Sequence, residues 1–180
     1  MDKLSTERLI IRRFEENDWQ DLYEYLSDDE VVKFEPYEAF NQEQAEEETN
    51  YRKTDNAFYA VCLKDNGKLI GNIYFCKGNF DTFELGYVFN KNYQKLGYAT
   101  ESIKALLDYA FTILGVRRVV AKCNPINTSS WKLLERLNLR REGHFLKAVN
   151  FEKDKDENNQ PIWHDTYQYA ILAEEWLKLV

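Results

Sequence analysis

The spacing of apolar residues changes near Thr100, from a pattern typical of strands to one typical of a helix. Before that point, two segments have helical spacing. One helix is predicted to begin at Asp18, and a second, strongly acidic helix runs from Asn41 to about Tyr51, because Asn41 and Gln44 have the spacing of a capping box. The turn Asp65-Asn66-Gly67 predicts a hairpin. Short apolar runs predict four strands over Arg8–Phe14, Phe58–Leu63, Lys68–Cys76 and Phe83–Phe89.

After Thr100 a continuous apolar stripe predicts a long helix that Gly115 ends; the stripe consists of Ile103, Leu106, Leu107, Ala110, Phe111 and Leu114. A further helix is expected to be capped by Thr128 or Ser129, and the segment 152–161 to be a charged turn. Strands are predicted over Arg117–Cys123, Phe145–Phe151 and Thr166–Leu172. We therefore predict one α+β domain over residues 1–180, with a mixed, mostly antiparallel central sheet flanked by helices.

The junction Tyr93–Thr100 is the segment most informative about function. It joins the apolar run Leu85–Phe89 to the long helix, whose first N–H groups have no internal partner and carry the positive end of the helix dipole. Gly97 and the small Ala99 would let a phosphate approach the backbone. An ordinary strand-to-helix connection is the alternative, and the residues after Gly97 do not match a P-loop.

Charge is distributed unevenly along the chain. The net charge of −7 argues against nucleic-acid binding. Between Glu15 and Thr49 the only basic residue is Lys33, whereas the middle of the chain is rich in Lys and Arg. Solvated surface would explain both regions. The functional interpretation is an anionic ligand near the basic middle, which contains Lys95, Lys104, Arg117, Arg118, Lys122, Lys132, Arg136, Arg140 and Arg141, and a cationic ligand near the start.

The cysteines and the apolar runs indicate a cytoplasmic protein. Cys62, Cys76 and Cys123 are far apart in strand-like runs, so buried free thiols are expected. The two histidines and scattered cysteines show no metal-ligand spacing, so no metal is expected. The sequence has no apolar run long enough for a membrane span and no signal-peptide pattern near Met1.

Several motifs in register resemble the GNAT superfamily of acyl-CoA-dependent N-acetyltransferases, and in particular its ribosomal-protein-alanine N-acetyltransferase branch. Residues 94–99, Gln-Lys-Leu-Gly-Tyr-Ala, resemble the superfamily's pyrophosphate loop. The other marks are Thr6-Glu7-Arg8-Leu9, Glu84-Leu85-Gly86-Tyr87, Ala99-Thr100-Glu101, Asn127-Thr128-Ser129-Ser130 and the terminal Glu175-Trp176. The resemblance covers nearly the whole chain and implies the GNAT fold, with acetyl-CoA as cosubstrate.

The resemblance also assigns residues to the CoA site. The pantetheine arm is expected beside the strand that ends at Phe89, held by backbone hydrogen bonds. Ser130 resembles the hydroxyl that can protonate the CoA sulfur. Many superfamily members use a Tyr for this, but its position is Leu134 here, and the usual Gly-Phe after the helix is Asn138-Leu139. The expected CoA contacts are Val88, Phe89, Gln94, Lys95, Leu96, Gly97, Tyr98, Ala99, Thr100, Asn127, Ser130 and Arg136.

Acetyl transfer to an amine needs a base, because amines are mostly protonated at neutral pH. Glu84 is the candidate, since it lies on the strand that leads to the loop; a salt bridge or an edge position would also explain a carboxylate there. The predicted reaction is direct attack by a primary amine in a ternary complex. The acceptor would be a protein N-terminus or a small cationic molecule, and the protein a monomer or homodimer. A non-catalytic CoA-binding sensor is the alternative.

Overall fold

The computed structural model describes residues 3–179, in which eight strands form a single sheet in the order β1-β2-β3-β4-β5-β6-β8-β7. The strands are β1 Lys3–Ser5, β2 Leu9–Arg12, β3 Phe58–Leu63, β4 Leu69–Lys77, β5 Thr82–Phe89, β6 Arg118–Cys123, β7 Arg140–Lys155 and β8 Pro161–Leu172. The helices are α1 Trp19–Leu26, α2 Asp29–Val32, α3 Gln42–Thr54, α4 Tyr98–Thr112, α5 Thr128–Arg136 and α6 Ala173–Trp176. None of these helices is long and apolar enough to cross a membrane.

All neighbouring strands pair antiparallel except β5 and β6, which are parallel. Helix α4 connects this parallel pair, as a crossover between parallel strands requires. The predicted α+β class, the mostly antiparallel sheet and its central strand–helix–strand unit are therefore confirmed.

Helices cover both faces of the sheet. On one face, the predicted apolar stripe packs with α5 against a core that includes Leu85, Phe89 and Val119, except for Leu114, which lies beyond the end of α4 and is exposed. On the other, Leu22 and Leu26 of α1 pack against a smaller core. Because side chains of β5 alternate, Leu85 and Phe89 belong to the first core and Val88 to the second. Strand β5 thus contributes side chains to the cores on both faces of the sheet.

The sheet opens between β5 and β6. Their parallel pairing ends at Leu85↔Ala121, while β5 remains paired to β4 as far as Gly71↔Phe89. A Cβ atom at Gly71 would lie 2.6 Å from both Phe89 Cδ1 and Val88 O, so a side chain here would displace the end of β5. The last residues of β5 consequently have a free edge.

The last hairpin is longer than the sequence predicted. Strand β7 begins at Arg140 instead of Phe145, and it continues to Lys155, through the first four residues of the predicted charged turn. Pairing with β8 extends to Lys155↔Pro161. Lys153 Nζ donates to Val32 O at 2.8 Å and to Tyr37 O at 3.0 Å, which anchors this charged strand to the loop after α2. A strand stabilised by such distant contacts has no local signature.

Three further predictions need correction or refinement. Neither Thr128 nor Ser129 caps α5; the cap is Asn127, whose side chain accepts from Ser130 N at 3.2 Å. Cys62 and Cys123 are buried free thiols as expected, but Cys76 is only partly buried because it lies near the end of β4. The long helix begins at Tyr98, two residues before Thr100, since Gly97 is its N-terminal cap.

Candidate active site

A cleft of about 1150 Å³ lies where β5 separates from β6. Its volume exceeds the usual range for small-ligand sites, so it can hold a large ligand. The cleft is lined by the end of β5, the loop before α4, the first turns of α4 and α5, and parts of α2, β7 and β8. Of the predicted site residues, the cleft brings together Glu84, Val88, Phe89, Gln94, Lys95, Gly97, Tyr98, Ala99, Thr100, Asn127, Ser130 and Arg136.

The free edge of β5 offers backbone groups to the cleft. Asn90 N–H donates across to Ile70 O on β4 at 2.9 Å. Successive residues of a strand direct their backbone groups to opposite edges, so those of Tyr87 and Phe89 are directed away from β4, to the open side. Gln94 Nε2 donates to Phe89 O at 3.0 Å. An extended ligand can therefore pair with this edge as an added strand would.

The loop before α4 presents backbone N–H groups. The first bond inside the helix is Glu101 N–H to Gly97 O at 3.0 Å, so the N–H groups of Tyr98, Ala99 and Thr100 precede the helical ladder. Gly97 has φ +86° and Lys95 φ +62°. A left-handed conformation is costly at a lysine, and such strain is concentrated at functional sites. These features fit an anion seat.

Arg8 binds both the loop before α4 and the first turn of that helix. The sequence alone did not assign a role to this residue. Its Nη1 donates to Leu96 O at 3.0 Å, its Nε donates to Glu101 Oε2 at 2.7 Å, and its guanidinium lies 4.4 Å from the centre of the Tyr98 ring. Thr6 Oγ1 donates to Glu101 Oε1 at 2.5 Å. Burial alone would raise the pKa of Glu101, but the hydrogen bonds from Thr6 and Arg8 hold it below its ordinary value. Glu101 therefore stays ionised, and Arg8 compensates its negative charge beside the anion seat.

Leu96 differs from the other predicted CoA contacts. It is not among the residues that line the cleft, and its side chain is exposed. The carbonyl of Leu96 accepts from Arg8 instead of facing the cleft. The backbone turns at Lys95 and Gly97, and this turn takes the intervening side chain to the outside.

Cationic side chains surround the anion seat: Lys95, Lys104, Lys132 and Arg136 line the cleft. Arg136 Nη1 donates to Thr100 Oγ1 at 3.3 Å, which places a guanidinium over the start of α4. Among the other cations of the basic middle, Arg118 and Arg140 form ion pairs with Glu142, whereas Lys122 lines the cleft beside Glu84. The predicted charge split therefore describes the cleft only in part.

Glu84 lies on the wall of the cleft, with about half of its side chain exposed. Lys122 Nζ donates to its Oε1 at 3.3 Å, so the salt bridge considered for this carboxylate exists. Among the described residues, Oε2 has no ion-pair partner. Glu84 both forms an ion pair and faces the cleft, so its salt bridge does not exclude a role as the base.

Ser130 lies on the opposite wall, in the first turn of α5. Its Oγ is 2.9 Å from the hydroxyl of Tyr87, which is also 3.1 Å from Ser130 O. Burial raises the pKa of Tyr87 well above its ordinary value. Burial also raises the pKa of the neighbouring Cys123 thiol to about 11, although a hydrogen bond with Ser130 opposes this. Neither Tyr87 nor Cys123 was singled out as a site residue from the sequence.

The acidic part of the cleft is formed by fewer residues than the sequence suggested. No residue of the acidic helix α3 lines it; α3 packs instead against α1. The carboxylates on this side are Glu30 on α2 and Glu35 on the following loop. Burial raises the pKa of Glu35 to about 7, against the lowering effect of Arg52, Lys153 and Tyr37. The short helix α2 was not predicted, because only the cap Asp28 marks it in the sequence.

A strand edge open to an extended arm, an anion seat at a helix N-terminus and surrounding cations define a site for a nucleotide-linked, extended ligand. This combination is what an acyl-CoA-binding protein requires, because CoA has a pantetheine arm, a pyrophosphate and a 3′-phosphate. The residues present therefore fit CoA.

Comparison with known proteins assigns the family. Residues 8–140 match the model of the acetyltransferase (GNAT) domain. The chain is 43% identical, over 96% of its length and 98% of the relative's, to the uncharacterized N-acetyltransferase YnaD of Bacillus subtilis (strain 168). It is 26% identical to the [ribosomal protein uS5]-alanine N-acetyltransferase of Escherichia coli (strain K12), over 97% and 92% of the two chains.

Comparison with solved structures supports the same family. An acetyltransferase of the GNAT family from Bacillus anthracis superposes with a TM-score of 0.87 at 37% identity, covering 96% of this chain and 99% of that one. The chain belongs to the GNAT family and is an acetyl-CoA-dependent acetyltransferase. The predicted family, fold and enzyme class are confirmed.

Proposed function

We propose that this enzyme transfers the acetyl group of acetyl-CoA directly to a cationic primary amine in the cleft between β5 and β6. The observation that carries the proposal is the cleft itself, which joins the anion seat and the free edge of β5 and is also lined by the carboxylates of Glu30 and Glu35. One ligand can enter along the basic side and the other along the acidic side. The two substrates would meet near Phe89. We also propose that residues 1–180 act as one catalytic domain, located in the cytoplasm, where its free thiols stay reduced.

The donor side would hold CoA mainly through backbone groups. The N–H groups of Tyr98, Ala99 and Thr100 would bind the pyrophosphate, and Lys95, Lys132 and Arg136 supply positive charge around it. Lys95 and Lys132 make no ion pair with other described residues, so both are available to phosphates. Asn127 faces the same cleft, although capping α5 already occupies its side-chain oxygen. When bound, acetyl-CoA supplies an activated thioester carbonyl.

The chemical steps are assigned to three groups. Glu84 takes a proton from the acceptor ammonium, directly or through water, so that the neutral amine can attack. The Phe89 N–H, on the free strand edge, donates to the thioester oxygen as negative charge develops there. Ser130 then gives its hydroxyl proton to the departing sulfur. The buried, protonated thiol of Cys123 is poorly suited to accept the acetyl group, which favours direct transfer.

The carboxylates of the cleft support a cationic acceptor. Glu30 on α2, Glu35 on the loop after it and Glu84 on β5 all line the cleft. A second ammonium or guanidinium group on the acceptor would pair with these carboxylates. A basic peptide N-terminus and a small polyamine both have this chemistry.

The test is thiol release from acetyl-CoA with matched amines, combined with mass measurement of the product. Putrescine and butylamine differ by one ammonium group, and a peptide with Arg after its N-terminal residue can be compared with its norleucine counterpart. We expect kcat/KM to be about tenfold higher for each cationic member. Equal values would contradict the cationic acceptor. Tight CoA binding without thiol release for any amine would contradict the proposed catalysis and indicate a CoA-binding sensor.

A further inference from the structure

Tyr87 and Ser130 form a hydroxyl pair at the cleft. Tyr87 comes from strand β5 and Ser130 from helix α5, and both line the cleft. The Tyr87 hydroxyl lies 2.9 Å from Ser130 Oγ and 3.1 Å from Ser130 O. The Tyr87 ring packs against the main core, so its hydroxyl is held in place. On α5, position 134 is a buried Leu that offers no hydroxyl.

The two hydroxyl groups have only two hydrogens between them, so their hydrogen bonds depend on each other. The Tyr87 hydroxyl has one hydrogen, which can go to Ser130 O or to Ser130 Oγ. If it goes to the carbonyl, the Ser130 hydroxyl hydrogen is drawn toward Tyr87. If it goes to Ser130 Oγ, the Ser130 hydrogen is directed away from Tyr87, toward the Cys123 thiol or a ligand atom in the cleft. The direction of the Tyr87 hydrogen thus decides whether the Ser130 hydroxyl donates to Tyr87 or is available to a ligand in the cleft.

We infer that Tyr87 is a positioning residue that donates its hydrogen to Ser130 Oγ and so directs the Ser130 hydroxyl at the sulfur of CoA. This inference rests on the role of Ser130 in the proposed function. Tyr87 acts through Ser130 and is not itself assigned a contact with the substrate.

The proton balance requires no ionisation of Tyr87. As the carbon–sulfur bond breaks, its electron pair stays on sulfur, and sulfur takes the Ser130 proton. The hydrogen bond from Tyr87 stabilises the charge that develops on Ser130 Oγ. The amine loses one proton to Glu84 before it attacks, and the second proton that its nitrogen loses after the attack returns to Ser130 through water in the open cleft. Because burial raises the pKa of Tyr87, its hydroxyl keeps its hydrogen throughout the assay range.

The first test is a double-mutant cycle of Tyr87→Phe and Ser130→Ala, with kcat and the KM for acetyl-CoA as readouts. Tyr87→Phe removes only the hydroxyl, so we expect kcat to fall about tenfold with KM nearly unchanged. In the Ser130→Ala background the same change should have almost no effect. Tyr51→Phe removes a hydroxyl that binds Asp55 on the exposed face of α3, and it is the matched control. A wild-type kcat for Tyr87→Phe, or losses that multiply in the double variant, would overturn the inference.

The second test needs no acceptor amine. Calorimetry at pH 9, near the ordinary pKa of a thiol, gives Kd values for CoA and for desulfo-CoA, which lacks the sulfur. We expect wild type to prefer CoA, and Tyr87→Phe and Ser130→Ala each to lose that preference while binding desulfo-CoA normally. Equal weakening of both ligands, or a wild type without preference, would overturn the inference. A wild type that prefers CoA but releases no thiol would refute the proposed function alone.

Discussion

Replacing Gly97 by Ala tests the anion seat most sharply. Gly97 has φ +86°, and a left-handed conformation costs an alanine about 1 kcal/mol. The new Cβ would lie 3.2 Å from Arg8 Nη2, tighter than an ordinary contact. Arg8 cannot withdraw freely, because it is bonded to Glu101 and to Leu96 O, and each such hydrogen bond contributes about 1 kcal/mol. We expect the variant loop to relax away from this strained geometry, so that restoring the anion seat when CoA binds costs about 2 kcal/mol, or about 30-fold in Kd.

The assay is calorimetric titration of CoA, with urea unfolding to measure stability. Gly115→Ala is the matched control, because Gly115 has φ +65° at the far end of α4 and a Cβ there would meet nothing within 4 Å. It should lower the free energy of unfolding by about 1 kcal/mol and leave the Kd for CoA unchanged. The reasoning is refuted if Gly97→Ala binds CoA like wild type, or if Gly115→Ala weakens CoA binding as much.

Three further results are expected. Glu84→Gln should lower kcat/KM about 100-fold at neutral pH, and raising the pH should restore part of the rate because more acceptor is then neutral; a pH–rate profile unchanged from wild type would count against Glu84 as the base. Intact-mass measurement after incubation with acetyl-CoA alone should show no acetyl group on Cys123, and a stable acetyl adduct there would contradict direct transfer. The pKa of Glu101 is lowered in the folded chain, so the stability it contributes is present above its unfolded pKa and is lost as the pH falls through the folded value. Circular dichroism should therefore show Glu101→Gln losing less stability than wild type between about pH 5 and pH 3, whereas parallel curves would refute the role of this carboxylate.

Local patterns predicted most of the fold. The Asn41 capping box, the Asp65-Asn66-Gly67 hairpin and the apolar stripe of α4 each depend on residues close in sequence. Asn138, which stands where the superfamily usually has Gly, adopts a left-handed conformation with φ +61°. The anion seat could also be predicted from the sequence, because a helix that begins after a glycine presents free backbone N–H groups that bind anions.

What the sequence did not reveal depends on distant contacts. Arg8 is 93 positions from Glu101 and was noticed only as part of a motif. Tyr87 and Ser130 are 43 positions apart, and no local pattern brings their hydroxyls together. The long β7 is charged, but Lys153 anchors it to carbonyls of residues 32 and 37. The acidic sequence of α3 does not place this helix at the cleft, because net charge does not indicate which face of a helix lines a cleft.

A crystal structure of the enzyme with CoA would test the central claim most directly. We predict that the pyrophosphate lies against the N–H groups of Tyr98–Thr100 and that the pantetheine arm follows the free edge of β5. The thiol should lie near Ser130 Oγ, with Glu84 as the nearest carboxylate across the cleft. A CoA molecule bound away from the opening between β5 and β6, or a thiol far from both Ser130 and Glu84, would contradict the account.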